Sequence, residues 1–355
     1  MRYVFMVVVV ALCMGCGSHG GGDAAKDWGG QAGDDVFRNA VPDPASLKLD
    51  VPGADAAGAS TDAADPGSAM VMRATITPTG TVSKYYQDTV KMTRDVNGLV
   101  FFLLEMLETV LSYPPTQRSD NVRIWGPWDP DDALSQVHWR FRISKTQERG
   151  VFDYTLELSP KTGPDDWTAA WEGSMKPDAD HPRHGTGDFT LHFDDIARLD
   201  TTSKNGGDVH VVYDTITDGK KIDIDFSQFK PEDNPDGPRV DGVYAYHSKA
   251  DGRGRYSFKF KADLHAEDPA VDLPGLETLE ILSMWQASGE GRAEAAVTGE
   301  DLLSQGLARF SAVECWDTGF LTTYSREQVD PKDSSVAPYV NETGVEAECP
   351  PSVEE

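Results

Sequence analysis

His181, His184 and His192, set among Asp178, Asp180 and Asp188, form the densest group of nitrogen and carboxylate ligands in the sequence, the donor set of a zinc-type ion. Pro182 breaks any helix that would align His181 with His184, so a solvated loop is the expected setting and no metal is assigned there. Oxygen ligands of the kind calcium takes occur in Glu232-Asp233-Asn234-Pro235-Asp236-Gly237 and again at Asp129, Asp131 and Asp132. Neither run has EF-hand spacing, and Asp and Asn also favour turns for their own sake. Asp129, Asp131, Asp233 and Asp236 therefore stand as calcium candidates that ordinary acidic turns equally explain. Tryptophans 125, 128, 139, 167, 171, 285 and 316 have the type for stacking on sugars, but several alternate within apolar runs and read as sheet packing. No nucleophile elbow, paired zinc histidines or Walker loop appears, and the many carboxylates single out no glycosidase pair. The expected protein is not an enzyme, has no catalytic residues and needs no cofactor.

The four cysteines carry the remaining chemistry. Arg2, the apolar run from Tyr3 to Met14, and small Gly15 before Cys16 have the layout of a secretory signal. The run is too short for a bilayer span, which takes about 20 apolar residues. Leu12-Cys13-Met14-Gly15-Cys16 resembles a bacterial lipobox, with Cys13 where that pattern prefers Leu. The resemblance implies acylation of Cys16, loss of residues 1–15 and membrane attachment through lipid. Gly17 and Ser18, with no Asp following Cys16, imply the outer rather than the inner membrane by the best-known sorting rule. Cys315 and Cys349 are left over. In an exported chain such a pair is expected to bond, closing a loop of roughly 35 residues and tacking the acidic tail to the last strands.

The elements that position these residues follow from pattern. Residues 16–70 are mostly Gly, Ala, Asp, Pro and Ser and read as a disordered tether, reaching roughly 40 Å on average. A helix is expected over 83–112, capped by Ser83 and stopped at Tyr113-Pro114-Pro115. Its centre is apolar on every side, which makes it a buried helix rather than a surface one. Leu99, Leu103 and Leu107 are its candidates for lining an apolar pocket. From Asn121 to about Glu327 the period falls to two, with about eleven strands separated by turn residues. Asp218-Gly219 joins Val209–Thr217 to Lys220–Phe229 as a hairpin. A weak repeat, Gly-x-Gly followed by alternating apolar residues, starts at Gly185, Gly252 and Gly289 and reads as a device for bending the sheet at hairpin entries. The expected fold is mainly β with one long N-terminal helix, α+β in class. It is a large curved antiparallel meander, open or half-barrel, wrapped on that helix. One domain spans 71–325, and 326–355 form the stapled tail.

Met284-Trp285-Gln286-Ala287-Ser288-Gly289-Glu290-Gly291-Arg292-Ala293-Glu294, Gly299-Glu300-Asp301-Leu302 and Glu314-Cys315-Trp316-Asp317, with Pro114-Pro115-Thr116 and Trp125-Gly126-Pro127-Trp128, resemble a group of uncharacterised bacterial lipoproteins. That resemblance covers residues 83–325 and implies location and fold, not activity. On architecture alone the chain also resembles LolA/LolB-like carriers, whose curved sheets hold acyl chains around helices. With 59 Asp and Glu against 32 Lys and Arg, the net charge of −27 excludes a nucleic-acid partner, which requires clustered cations. The expectation is a monomeric, lipid-anchored envelope protein that acts as a structural or interaction module. The alternative is a carrier of an apolar acyl-chain ligand, and a glycan- or lipid-acting surface enzyme comes third.

Overall fold

The computed structural model describes residues 33–54, 76–129, 136–162, 166–201, 203–217, 219–230, 239–263 and 275–350; for residues 95 and 98–103 only the backbone is described. Fifteen strands form one antiparallel sheet in chain order. They are β1 Gln117–Arg118, β2 Val122–Trp128, β3 Val137–Lys145, β4 Phe152–Pro160, β5 Thr168–Pro177, β6 Gly185–His192, β7 Gly206–Asp214, β8 Lys220–Lys230, β9 Val240–Ser248, β10 Gly254–Ala262, β11 Glu277–Trp285, β12 Gly291–Gly299, β13 Leu307–Trp316, β14 Thr322–Pro331 and β15 Tyr339–Gly344. β1 and β15 are the edges, so the meander is open. Among the described residues four α-helices accompany it: α1 Asp34–Arg38, α2 Lys84–Ser112, α3 Phe193–Leu199 and α4 Glu300–Ser304.

The eleven expected strands correspond to β3–β13, and the structure adds two at each margin. β2 contains Gly126 and Pro127, while β14 and β15 are polar on both faces, so none shows a two-residue apolar period. The expected tail is therefore partly sheet. Its cysteine is joined as anticipated, Cys315 to Cys349 with 5.5 Å between Cα atoms.

Alternation sorts the strands into two faces. In β8, Ile222, Ile224 and Phe226 turn inward, while Lys221, Asp223 and Asp225 turn to solvent. On the inner face, rings run unbroken across β2–β7, from Trp125 through Phe141, Tyr154, Trp171 and Phe189 to Tyr213, at centroid spacings of 5.4 to 6.5 Å. Trp125, Trp171, Trp285 and Trp316 are fully buried, which removes them from any sugar platform. The Gly-x-Gly repeat has a different role from the expected bend. Gly187, Gly254 and Gly291 pair in unbroken register with Tyr213, Trp285 and Trp316. A Cβ on these glycines would lie 2.5, 2.5 and 2.2 Å from those same side chains, so the missing side chain is the space a ring lies in.

α2 lies on the inner face. Ser83 caps it by accepting from the Tyr86 amide at 3.0 Å and donates to Glu314 of β13, whose carboxylate also accepts from the Tyr85 amide at 3.3 Å. Further along, Thr89 and Ser283 share a hydrogen bond of 2.8 Å, and Tyr256 donates to the Met92 sulfur at 3.3 Å. Tyr86, Val90, Val96, Leu104, Leu107, Val110 and Leu111 are buried, whereas Lys84, Gln87, Arg94, Glu105 and Thr109 are exposed. The helix is thus amphipathic at its described positions and is not buried all round. No helix among the described residues is long and apolar enough to cross a membrane.

Burial raises the Asp88 carboxyl to about 6, helped by Glu314 and opposed by Lys91 and Lys84. A carboxyl raised in the folded state penalises folding when ionised, so this cost is absent near pH 4, grows as pH rises towards 6 and is complete above it. Asp88→Asn is expected to stabilise the protein by about 1–2 kcal/mol at pH 7.5 and by nothing measurable at pH 4. Denaturant titrations at the two pH values check this, and an equal effect at both would contradict the assignment.

Residues 33–54 depart most from expectation. They are not tether but a strap crossing the inner face beside α2, with Phe37, Ala40, Val41, Leu47, Leu49 and Val51 buried in the same core. Asn97 of α2 holds its backbone at both the amide and carbonyl of Leu49, at 2.7 and 2.8 Å. Tyr246 does the same at Asp50, at 3.0 and 2.8 Å. Arg183 donates to the carbonyls of Val41 and Pro42, and Arg38 to that of Leu111. At the strap's start, Asp34 is fully buried between Arg123 at 2.6 Å and Arg118 at 3.2 Å.

Candidate functional site

The outer face of β8–β14 carries an open trough of about 700 Å³. Its floor is the backbone of one register row, Ile224, Tyr244, Phe258, Ile281, Ala295 and Ala312, whose side chains turn to the inner face. The residues before and after these along each strand supply the walls. One wall runs Asp225, Val243, Lys259, Glu280, Ala296, Ser311, Gln328. The other runs Asp223, Ala245, Ser257, Leu282, Glu294, Val313. Small Ala245, Ser257, Ala296 and Ser311 leave the depression, since a pleated sheet with long side chains at those positions would be filled level. Tyr244 and Phe258 are the lining aromatics and both belong to the inward row, so the trough offers no ring to a sugar.

Its charged groups are mostly engaged. Lys259 pairs with Glu280 at 2.6 Å, Arg292 with Glu294 at 2.8 Å, and His247 faces Asp223 at 3.4 Å. Arg309 stands opposite Asp330 in the ladder. Carboxylates held this way are poor general acids or bases. Beyond β8 the outer face continues as a block of acids and histidines: His192 contacts Asp208 at 2.9 Å and Glu172 at 3.5 Å, and His210 lies 3.7 Å from Asp188. Burial, reinforced by Asp188 and Glu172 against the pull of Arg142, raises the neighbouring Asp153 carboxyl.

The sequence-derived positions fall as follows. His181 bonds Asp178 at 3.0 Å beside His184 in the β5–β6 turn, while His192 sits at the opposite end of β6, so the three histidines do not converge. Asp129 lies 2.8 Å from His138 and 3.7 Å from Lys161. Asp131, Asp233, Asp236 and Cys16 lie outside the described residues. Leu107 is fully buried in the core, and the side chains of Leu99 and Leu103 lie outside those described. A carboxylate group that pattern reading missed comprises Asp263, Glu277 and Asp301, whose oxygens come within 4.8 Å of one another where β10, β11 and α4 meet. It is a hard-cation type of donor set, with Asp301 also accepting from the Gly275 amide at 3.1 Å. Three elements contribute one acid each, so no local spacing announces it.

No family model, curated protein or solved structure matches the chain.

Proposed function

We propose that the protein is an envelope lipoprotein, anchored by acyl chains on Cys16 at the outer membrane, whose body is a monomeric, non-catalytic interaction module. On this reading the sheet curls as an open half-barrel with its inner face turned to α2, and its partner seats in the outer trough. The trough is the observation that carries the reading: a depression of about 700 Å³ on a solvent-facing sheet, with apolar Val243, Leu282 and Val313 among its walls. A concavity of this size with a few apolar side chains among polar ones is the form of a surface on which a partner seats. An acyl-chain carrier ranks second. Its ligand would need the inner face, where α2 and the strap already pack against the sheet, so one of them would have to move. Site-specific photo-crosslinking in cells tests the leading reading, with the crosslinker placed at Ser257 in the trough or at exposed Glu148 in the β3–β4 turn. Ser257 is expected to yield a discrete adduct with another envelope protein and Glu148 none. Absence of adducts at Ser257, or the same adducts at both positions, would overturn it.

A further inference from the structure

We infer that the occupant of the trough is a basic, amphipathic helix of a partner protein; this rests on the trough being the interaction face. Charge comes first. Asp223, Asp225, Glu280, Glu294 and Asp330 line the depression against Lys259 and Arg309, with Arg292 beside it paired to Glu294, so acids outnumber bases five to three in a protein of net charge −27. That field repels a second copy of this chain and steers cationic segments towards it. The chain's own segments outside the described residues do not complement it either: residues 17–32 and 55–75 carry Asp23, Asp27, Asp55, Asp62 and Asp65 against Lys26 and Arg73.

Backbone chemistry then selects the conformation. The floor is the interior of a sheet whose amides and carbonyls are already used in the ladders on both sides. It gives an incoming chain no backbone partners, so a segment desolvated there has to satisfy its own N–H and C=O groups, which a helix does. The trough runs across the strands from β8 to β14, six interstrand spacings or about 29 Å, the length of roughly 19 helical residues. Val243, which is 45% exposed, Leu282 and Val313 meet the apolar stripe of such a helix. Asp223 and Asp225 meet Lys or Arg on its flanks. The outer face then repeats what α2 does on the inner one.

Three synthetic 19-residue probes against the full chain test this: a Lys/Leu amphipathic helix, its Glu/Leu counterpart, and a Lys/Gly/Ser peptide of the same charge with no apolar stripe. Fluorescence anisotropy at two salt concentrations reads the binding. The Lys/Leu helix is expected to bind at least tenfold more tightly than either other probe, and more weakly at the higher salt. Ser257→Arg, on an exposed position at the trough's centre, is expected to cost at least tenfold, while Ser257→Glu, also larger than serine but of opposite charge, costs less. Asp225→Asn is expected to weaken binding severalfold, and Glu148→Gln, which removes one charge elsewhere, to leave it unchanged. Circular dichroism and melting of each variant confirm that the fold is kept. Equal binding of the Lys/Gly/Ser probe, or equal losses for Glu148→Gln and Asp225→Asn, would reduce the effect to diffuse charge and overturn the inference. Adducts at Ser257 in cells without binding of the Lys/Leu helix would also overturn it, yet leave the interaction reading standing. Failure of the adducts themselves would remove that reading instead.

Discussion

Asp34→Ala is expected to destabilise the protein by about 3 kcal/mol or more at pH 7, a large effect for one residue of a five-residue helix. The carboxylate is fully buried, and its two oxygens are divided between Arg123 at 2.6 Å and Arg118 at 3.2 Å. Removing it leaves two guanidinium groups facing each other, with Arg123 itself largely buried over the Phe37 ring at 4.3 Å. The loss therefore combines an uncompensated buried charge with weakened packing where the strap begins. Burial pulls the Asp34 carboxyl up, but hydrogen bonds from Arg123 and Arg118 outweigh it and hold the group below its ordinary 3.8. For a depressed carboxyl, the stabilisation is complete above the unfolded value and is lost as pH falls through the folded one. The difference between wild type and Asp34→Ala should accordingly be constant from pH 5 to 7 and shrink below pH 4. Urea titrations across that range check the sign. Hydrogen exchange should show residues 34–51 opening before the sheet. A pH-independent difference would mean that Asp34 acts through shape and not through charge.

The strap that Asp34 secures is also where sequence reading stopped short. Phe37 and Val41 stand alone, and Leu47, Leu49 and Val51 alternate with exposed Lys48 and Asp50 over only five residues, too short a run to stand out as an element. Surrounded by Gly, Ala and Asp, so sparse a set reads as tether, although the buried area it contributes depends only on what it meets. The interior strands were legible for the opposite reason. β4 and β8 carry water on one face and core on the other, and their sequences alternate accordingly. Alternation fades at the margins. Edge strands have less core to cover, and β14 and β15 spend their positions on Arg326, Glu327, Gln328 and Asn341, which hydrogen bonding and charge, not burial, keep in register. The trough is illegible from any single strand. It exists because small residues on β9, β10, β12 and β13 come into adjacent rows, and only the register brings Ala245 beside Ser257 and Ala296 beside Ser311.

Breaking the Cys315–Cys349 bond is expected to cost about 3–4 kcal/mol and, more tellingly, to release β15 alone. β15 pairs with β14 over six residues, yet all of its side chains are exposed or half-exposed, Tyr339 at 62% and Val340 at 41%. Ordering six residues of backbone costs on the order of 6–12 kcal/mol, and ladder hydrogen bonds return only about 1 kcal/mol each. With almost no apolar burial to make up the difference, the strand depends on a covalent link at its far end, where Cys349 follows the turn at Glu346–Glu348 and reaches fully buried Cys315. The Tyr324–Glu342 hydrogen bond at 3.3 Å and the Arg292–Glu346 pair at 3.8 Å are too weak to replace it. In Cys349→Ser, hydrogen exchange over residues 339–344 should rise to near the unstructured rate, while β10–β13 keep their protection until global unfolding. β14 then becomes the sheet's edge, with Gln328 and Asp330 at the open end of the trough. Continued protection of residues 339–344 in Cys349→Ser would show that the ladder alone holds β15, and that side-chain burial is a poor guide to what keeps an edge strand in place.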